Sequence, residues 1–241
     1  MIAQMPLENF LIIDIETVSG QKNFTLLSEQ WQHLWEEKVL RTLPENTTAG
    51  DYYPMRAGIM AEFGKVVCIS IGYFKKDKGL YQFRVKSIFD HEEKLLLQTF
   101  ISTINQLEAV HKRWSFTGHN IKEFDIPFLC RRLLINGLPI PAYLDFQNMK
   151  PWETNMIDTF QYWRFGDYKN YTSLKLLAAT LNVTSPKDDI DGSMVGEVYW
   201  QEDNLQRIAT YCQKDVVTVA NIILRFKSLP LLNEEQVVFT K

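Results

Sequence analysis

Asp14 and Glu16 stand two apart in an apolar run, Asn9–Thr17 (NFLIIDIET). On an extended chain that spacing sends both carboxylates out of one face, while Ile13 and Ile15 leave by the other. Acids emerging from a buried strand need cations or hydrogen bonds, because an unpaired buried charge is costly. Asp125 lies in a second cluster, Gly118–Phe128 (GHNIKEFDIPF), between a strand end and a helix start. Open α/β sheets bind ligands at such junctions. Tyr211 and Asp215 make a third cluster, four apart on a helix and therefore on one face, flanking the stripe Leu205, Cys212 and Val216. Each cluster alone has a plainer reading: a strand end in solvent, an N-cap at Asp125 ahead of Pro127, a tyrosine packed over a solvated aspartate. Together, Asp14, Glu16, Asp125 and Asp215 can converge on one sheet edge, where they would repel unless divalent cations sat between them. Oxygen ligands point to Mg²⁺ or Mn²⁺, and no Cys/His set has zinc spacing.

Holding these residues requires a particular order of elements. Asn9–Ile15 reads as a short, doubly buried strand, and Lys65–Phe74 (KVVCISIGYF) as a second. The run Lys75–Gly79 (KKDKG) is a polar turn, and Leu80–Lys86 alternates as a half-buried antiparallel partner. A βα pattern follows: a helix over Glu92–Val110, a strand at Arg113–Thr117, a helix over Ile126–Asn136, and a short strand in Asn155–Phe160. Thr172 or Ser173 caps a helix bearing Leu174, Leu177 and Leu181, and Asp203 or Asn204 opens a last helix to about Phe226. This order predicts a mixed sheet flanked by helices in one α/β domain spanning residues 1–241. Residues 19–61 read as an insertion after strand 1, with a helical piece at Glu29–Leu40, a loop at Pro44–Tyr53 and no closed core of its own. Residues 229–241 read as a short, generic tail.

Composition agrees with an ordinary globular chain: 241 residues, 46% hydrophobic and 23% charged, with 31 aromatics (Phe 15, Tyr 10, Trp 6) to fill a core. No apolar run approaches a membrane span and no signal peptide is visible, so no membrane partner is expected. Cys68, Cys130 and Cys212 are scattered in apolar stretches, which suits a reduced, cytoplasmic compartment. A net charge of −3 argues against a constitutive nucleic-acid binder. It leaves room for a nucleic-acid enzyme whose acids hold cations.

Ile12–Thr17 (IIDIET), Asn120–Phe128 (N-x-x-x-F-D-I-P-F) and Tyr211–Asp215 (Y-C-x-x-D), in that order, resemble the three motifs of the DEDD 3′–5′ exonucleases. The nearest branch is the proofreading domain of family-B DNA polymerases and the stand-alone PolB-like predicted exonucleases. Tyr171–Ala179 (YTSLKLLAA) and Lys187–Ile190 (KDDI) resemble the same branch. The resemblance implies a ribonuclease-H-like, five-stranded mixed sheet and a metal-dependent exonuclease releasing nucleoside 5′-monophosphates from single-stranded ends, DNA favoured over RNA. It implies that Asp14, Glu16, Asp125 and Asp215 hold two Mg²⁺ or Mn²⁺ ions, with Asp14 touching both, while Tyr211 orients the attacking water. Thr210 stands where another branch has histidine, which makes this the tyrosine type (DEDDy). Thr17, Asn120 and Phe124 match positions that hold the terminal nucleotide, and Lys187 one that approaches the phosphate. The chain ends near the third motif, so no polymerase activity is expected, and residues 19–61 have no counterpart in the family pattern. An exoribonuclease and a non-catalytic, polymerase-associated binding module are the alternatives; a polymerase or repair partner is left open. His119 and Asp158 read as structural groups at strand ends, Asp158 also as a support for the site; Trp31, Trp35, Tyr52 and Tyr53 read as packing of the insertion.

Overall fold

The computed structural model describes residues 2–110, 114–147, 149–150, 153–183 and 189–240. Strand β1 (Phe10–Ser19) is central, and it runs four residues beyond the expected Ile15, so Asp14 and Glu16 lie within it. Helices α1 (Glu29–Val39) and α2 (Ala49–Arg56) follow. Strands β2 (Gly64–Asp77) and β3 (Leu80–Phe89) then form an antiparallel hairpin. Its turn is only Lys78-Gly79, both at positive φ (47° and 89°), as a tight hairpin connection demands. The polar Lys75–Asp77 therefore belongs to β2 rather than to the turn.

Next come α3 (Glu93–Val110), β4 (Ser115–Gly118), α4 (Asp125–Ile135), β5 (Met156–Asp158) and α5 (Thr159–Arg164). Helices α6 (Leu174–Thr180), α7 (Val195–Trp200) and α8 (Leu205–Phe226) precede the last strand, β6 (Val237–Thr240). Ser173 and Asn204 are the caps of α6 and α8, each side-chain oxygen accepting a backbone N–H of the first turn.

The sheet order is β5-β4-β1-β2-β3-β6. Pairing is antiparallel across β1, β2 and β3 and parallel at β1–β4, β4–β5 and β3–β6. The mixed sheet flanked by helices is as expected, but it has six strands, not five. The sixth comes from the tail, whose Val237–Thr240 pairs with Phe83–Lys86. Four residues with weak alternation carry little strand signal until an open edge is present to pair with them.

Alternation along β1 divides the molecule. Leu11, Ile13 and Ile15 join Ile69, Ile71, Leu97, Phe100 and Leu129 in a core beneath α3 and α4. Phe10 and Ile12 join Phe83, Val216, Val219 and Ile223 beneath α8, continued by Val18, Val67, Cys68 and Cys212. A bulge opposite Glu16 and Thr17 adds Val67 to β2, so Val67 and Cys68 both enter that second core.

The insertion differs from its reading in two respects. Ala49–Arg56 is helical where a loop was expected: Thr48 caps the helix by accepting the Asp51 N–H (3.1 Å), and the helix ends two residues after Pro54. It also has a small core: Trp35, Val39, Tyr52, Tyr53, Ala57 and Phe63 pack together, with Trp35 Nε1 donating to the Ala49 carbonyl (2.7 Å). Among the described residues no helix is long and apolar enough to cross a membrane.

Gly72 is where α8 rests on the sheet. A Cβ there would collide with the buried Phe83 ring and Val216, the residue after Asp215. Gly72→Ala should therefore destabilise the protein by about 1–3 kcal/mol through overpacking. Urea denaturation should register it as a lower midpoint at unchanged slope.

Candidate active site

Asp14 and Glu16 leave β1 on the α8 side, as their spacing predicts. Glu16 is buried and Asp14 half-buried. One ligand atom from each of Asp14, Glu16 and Cys212 lies within 4.8 Å of the other two. The Cys212 thiol donates to Asp14 Oδ2 (3.2 Å) and approaches the Asp14 carbonyl (3.4 Å). Burial, with Cys68, Asp14 and Glu16 around it, holds this thiol well above its usual pKa, so it stays a protonated donor. The sequence reading had Cys212 as a small core residue; its place between Tyr211 and Asp215 on one helix was the available signal.

Asp125 is the first residue of α4 but not its cap. Its Oδ1 instead accepts the Ile15 backbone N–H of β1 at 3.2 Å. β4 pairs with β1 only at Phe10–Ile12, so this N–H lies beyond the paired stretch and needs a partner. The carboxylate that supplies it is fixed beside Asp14 and Glu16. Tyr211 and Asp215 project from successive turns of α8, and the Tyr211 hydroxyl hydrogen-bonds to Asp215.

All five residues thus meet at one place, and the acids feel one another. Burial first, then Asp215 and Asp125, push Asp14 well above the carboxylate range. Burial and then Asp14 and Asp215 do the same to Glu16. Asp125 is pushed up to about 7 by burial, partly offset by the N–H groups of Ile15 and its own backbone and added to by Asp158 and Asp215. The Tyr211 phenol is raised by burial and by Asp215, Glu16 and Asp14. A set of oxygen donors that cannot all ionise without added positive charge fits divalent cations of the Mg²⁺ or Mn²⁺ type.

The loop before Asp125 carries the other expected site residues. Asn120 takes a left-handed conformation (φ 64°), and among the described residues its buried Oδ1 has no partner. Phe124 is half-buried against Phe128. Thr17 is half-buried on β1 opposite the β2 bulge, and Lys187 lies outside the described residues. His119 is structural, its ring between Thr159 Oγ1 (3.0 Å) and the Thr172 carbonyl (2.9 Å), with burial lowering its pKa. Asp158 is buried and accepts the backbone N–H groups of Asn120, Lys122, Phe160 and Gln161.

A family model described as a predicted 3′–5′ exonuclease related to the exonuclease domain of PolB matches residues 59–236. The match contains Asp125, Tyr211 and Asp215 and begins after β1, which carries Asp14 and Glu16. No curated protein matches the chain. Among solved structures, the family B DNA polymerase from the hyperthermophilic archaeon Pyrobaculum calidifontis is similar, with 17% identity over 89% of this chain and a TM-score of 0.50. That likeness is one of fold, and the chain covers 24% of the polymerase chain.

The raised carboxyls make stability depend on pH. An acid whose pKa is higher folded than unfolded favours the fold below its unfolded value and loses that contribution as pH rises through the folded one. For Asp125 the loss is complete once pH passes about 7. In chelator, the melting temperature should fall from about pH 4 to about pH 7. Asp125→Asn keeps an oxygen for Ile15 N–H and should flatten that fall. Scanning calorimetry in which wild type and variant share one pH dependence would contradict the burial of this carboxyl.

Proposed function

The chain belongs to the family of predicted 3′–5′ exonucleases related to the exonuclease domain of PolB, and on that premise we propose that it is a metal-dependent 3′–5′ exonuclease of single-stranded DNA ends. The observation that carries this reading is the convergence of Asp14, Glu16, Asp125 and Asp215 beside Tyr211. The four carboxylates would hold two Mg²⁺ or Mn²⁺ ions. When bound, such ions acidify a water and stabilise the departing 3′ oxygen, which yields nucleoside 5′-monophosphates.

The chain's own residues bind and orient. Tyr211, held above the ordinary phenol range, keeps its proton and is no base; its hydroxyl, one turn from Asp215, positions the attacking water. The unpartnered Oδ1 of Asn120 offers an acceptor to the terminal nucleotide, whose base can stack on Phe124 while Thr17 contacts it from β1. Lys187 is assigned the phosphate. The Tyr171 ring, exposed and with its phenol raised by burial and then by the charges of Asp125 and Asp158, favours a splayed strand over a duplex. Three free thiols suit action in the cytoplasm.

The test is cleavage of end-labelled linear and circular strands, DNA and RNA, with Mn²⁺ or with chelator. Linear DNA should lose mononucleotides from its free 3′ end, while circles and chelated samples stay intact. Preference for RNA would reassign the substrate, and cutting of circles would refute the direction. Asp14→Asn, Glu16→Gln, Asp125→Asn and Asp215→Asn should each nearly abolish turnover without lowering metal-free stability.

Tyr211→Phe keeps the ring and removes one hydrogen bond, so single-turnover cleavage should slow by about 10–10³-fold with metal binding preserved. A wild-type rate would reduce Tyr211 to packing.

A further inference from the structure

Asp158 ends β5, opposite Gly118 at the end of β4, and only 4% of it is exposed. Its Oδ1 accepts Phe160 N–H (2.9 Å) and Gln161 N–H (3.3 Å), the ordinary work of a cap on α5. The same carboxylate reaches back almost forty residues in sequence. Oδ1 also takes Asn120 N–H (3.0 Å) and Oδ2 takes Lys122 N–H (3.2 Å). A helix cap needs neither of these bonds.

They restrain a short segment that leads straight to the site. Asn120 sits at φ 64°, in the left-handed region that asparagine adopts more readily than other side-chain-bearing residues, and the Asp158 bond to its N–H fixes it there. The Asn120 carbonyl in turn accepts Glu123 N–H (3.2 Å) and Phe124 N–H (3.0 Å), and the Ile121 carbonyl accepts Ile126 N–H (3.0 Å). Asp125 stands between the last two donors, its carboxylate already tied to Ile15. Fixing Asn120 and Lys122 therefore fixes two things at once: where the unpartnered Asn120 Oδ1 points, and where α4 begins.

We propose that Asp158 is a positioning residue for hydrolysis, its carboxylate clamping the Asn120–Lys122 turn so that Asn120 and Asp125 are held ready for the terminal nucleotide and the cation. It touches neither substrate nor metal. The proposal rests on the exonuclease reading for its effect on rate, but not for its effect on the turn.

Asp158→Ser separates the clamp from the cap, because serine caps helices through its own first turn but has no second oxygen to span the gap to Asn120 and Lys122. In the metal-free protein, hydrogen exchange should speed up at residues 120–125 while 159–164 stay protected. Calorimetric Mn²⁺ affinity should fall about 10-fold or more, and kcat on a single strand should drop about 10–100-fold, the scale of a small misplacement. KM should rise too, through Asn120. Asp158→Asn keeps one acceptor oxygen and turns the other into a donor, so it should show an intermediate loss; it also serves if the serine variant fails to fold.

Unchanged exchange at 120–125 together with wild-type Mn²⁺ affinity in the variants overturns the clamp, whatever the nuclease does. A wild type that binds Mn²⁺ but cleaves no 3′ end overturns the exonuclease reading and leaves the clamp to be judged by exchange and affinity. A wild type that neither binds Mn²⁺ nor cleaves overturns the role assigned to Asp158 as well.

Discussion

Carboxylates gathered where water cannot screen them repel one another, and each grips its proton more tightly than it would in solution. Asp14 and Glu16 are held in that condition between the central strand and α8, with Asp125 at the start of α4 and Asp215 on α8 close enough to add to it. Hydrophobic packing has to supply the force that keeps them together. The stripe of α8 that includes Val216, Val219, Ala220 and Ile223 seats the helix on the sheet, and the absence of a side chain at Gly72 lets it come close. Repulsion at the middle of the helix is thereby opposed by burial along the turns on either side of it.

The second support is backbone accounting. β4 is four residues long and β5 three, so donors just past their ends have no strand to pair with. Aspartate side chains take them: Asp125 the Ile15 N–H, Asp158 the N–H groups of Asn120 and Lys122. Short strands next to a long one thus leave a stepped edge, and the steps are where acids are anchored. The Cys212 thiol adds a neutral donor to Asp14 without adding charge.

Much of this was legible in the chain. Two-residue spacing in β1, four-residue spacing in α8 and the apolar runs of β2 and β4 are local signals, and they placed Asp14, Glu16, Tyr211 and Asp215 on the correct faces. Asp125 belongs to the acid set on the sequence alone, with an N-cap as its plainer reading, but nothing in its neighbourhood indicates that Ile15 lies across from it. Asp158 was read as a cap with a support role left open; its bonds to Asn120 and Lys122 depend on the β4–β5 register, which three-residue strands do not announce. The β6 pairing, the core around Trp35 and the Cys212–Asp14 contact are likewise products of tertiary proximity. Helix α2 was obscured by Pro54, its sixth residue of eight, because a proline past the first turn argues against a helix.

The acids that meet beside α8 come from β1 and from α8 itself, about two hundred positions apart in the chain. Contacts of such sequence separation form late in folding, because the intervening segment must be ordered before they can pay back their entropy. On the ribosome, β1 emerges early and waits with Asp14 and Glu16 uncompleted, through the synthesis of every other strand but β6, until α8 arrives. A partly made chain consequently holds only a fraction of its carboxylates together. Whatever chemistry the full set performs waits on the synthesis of α8, and a fragment truncated before α8 would lack it.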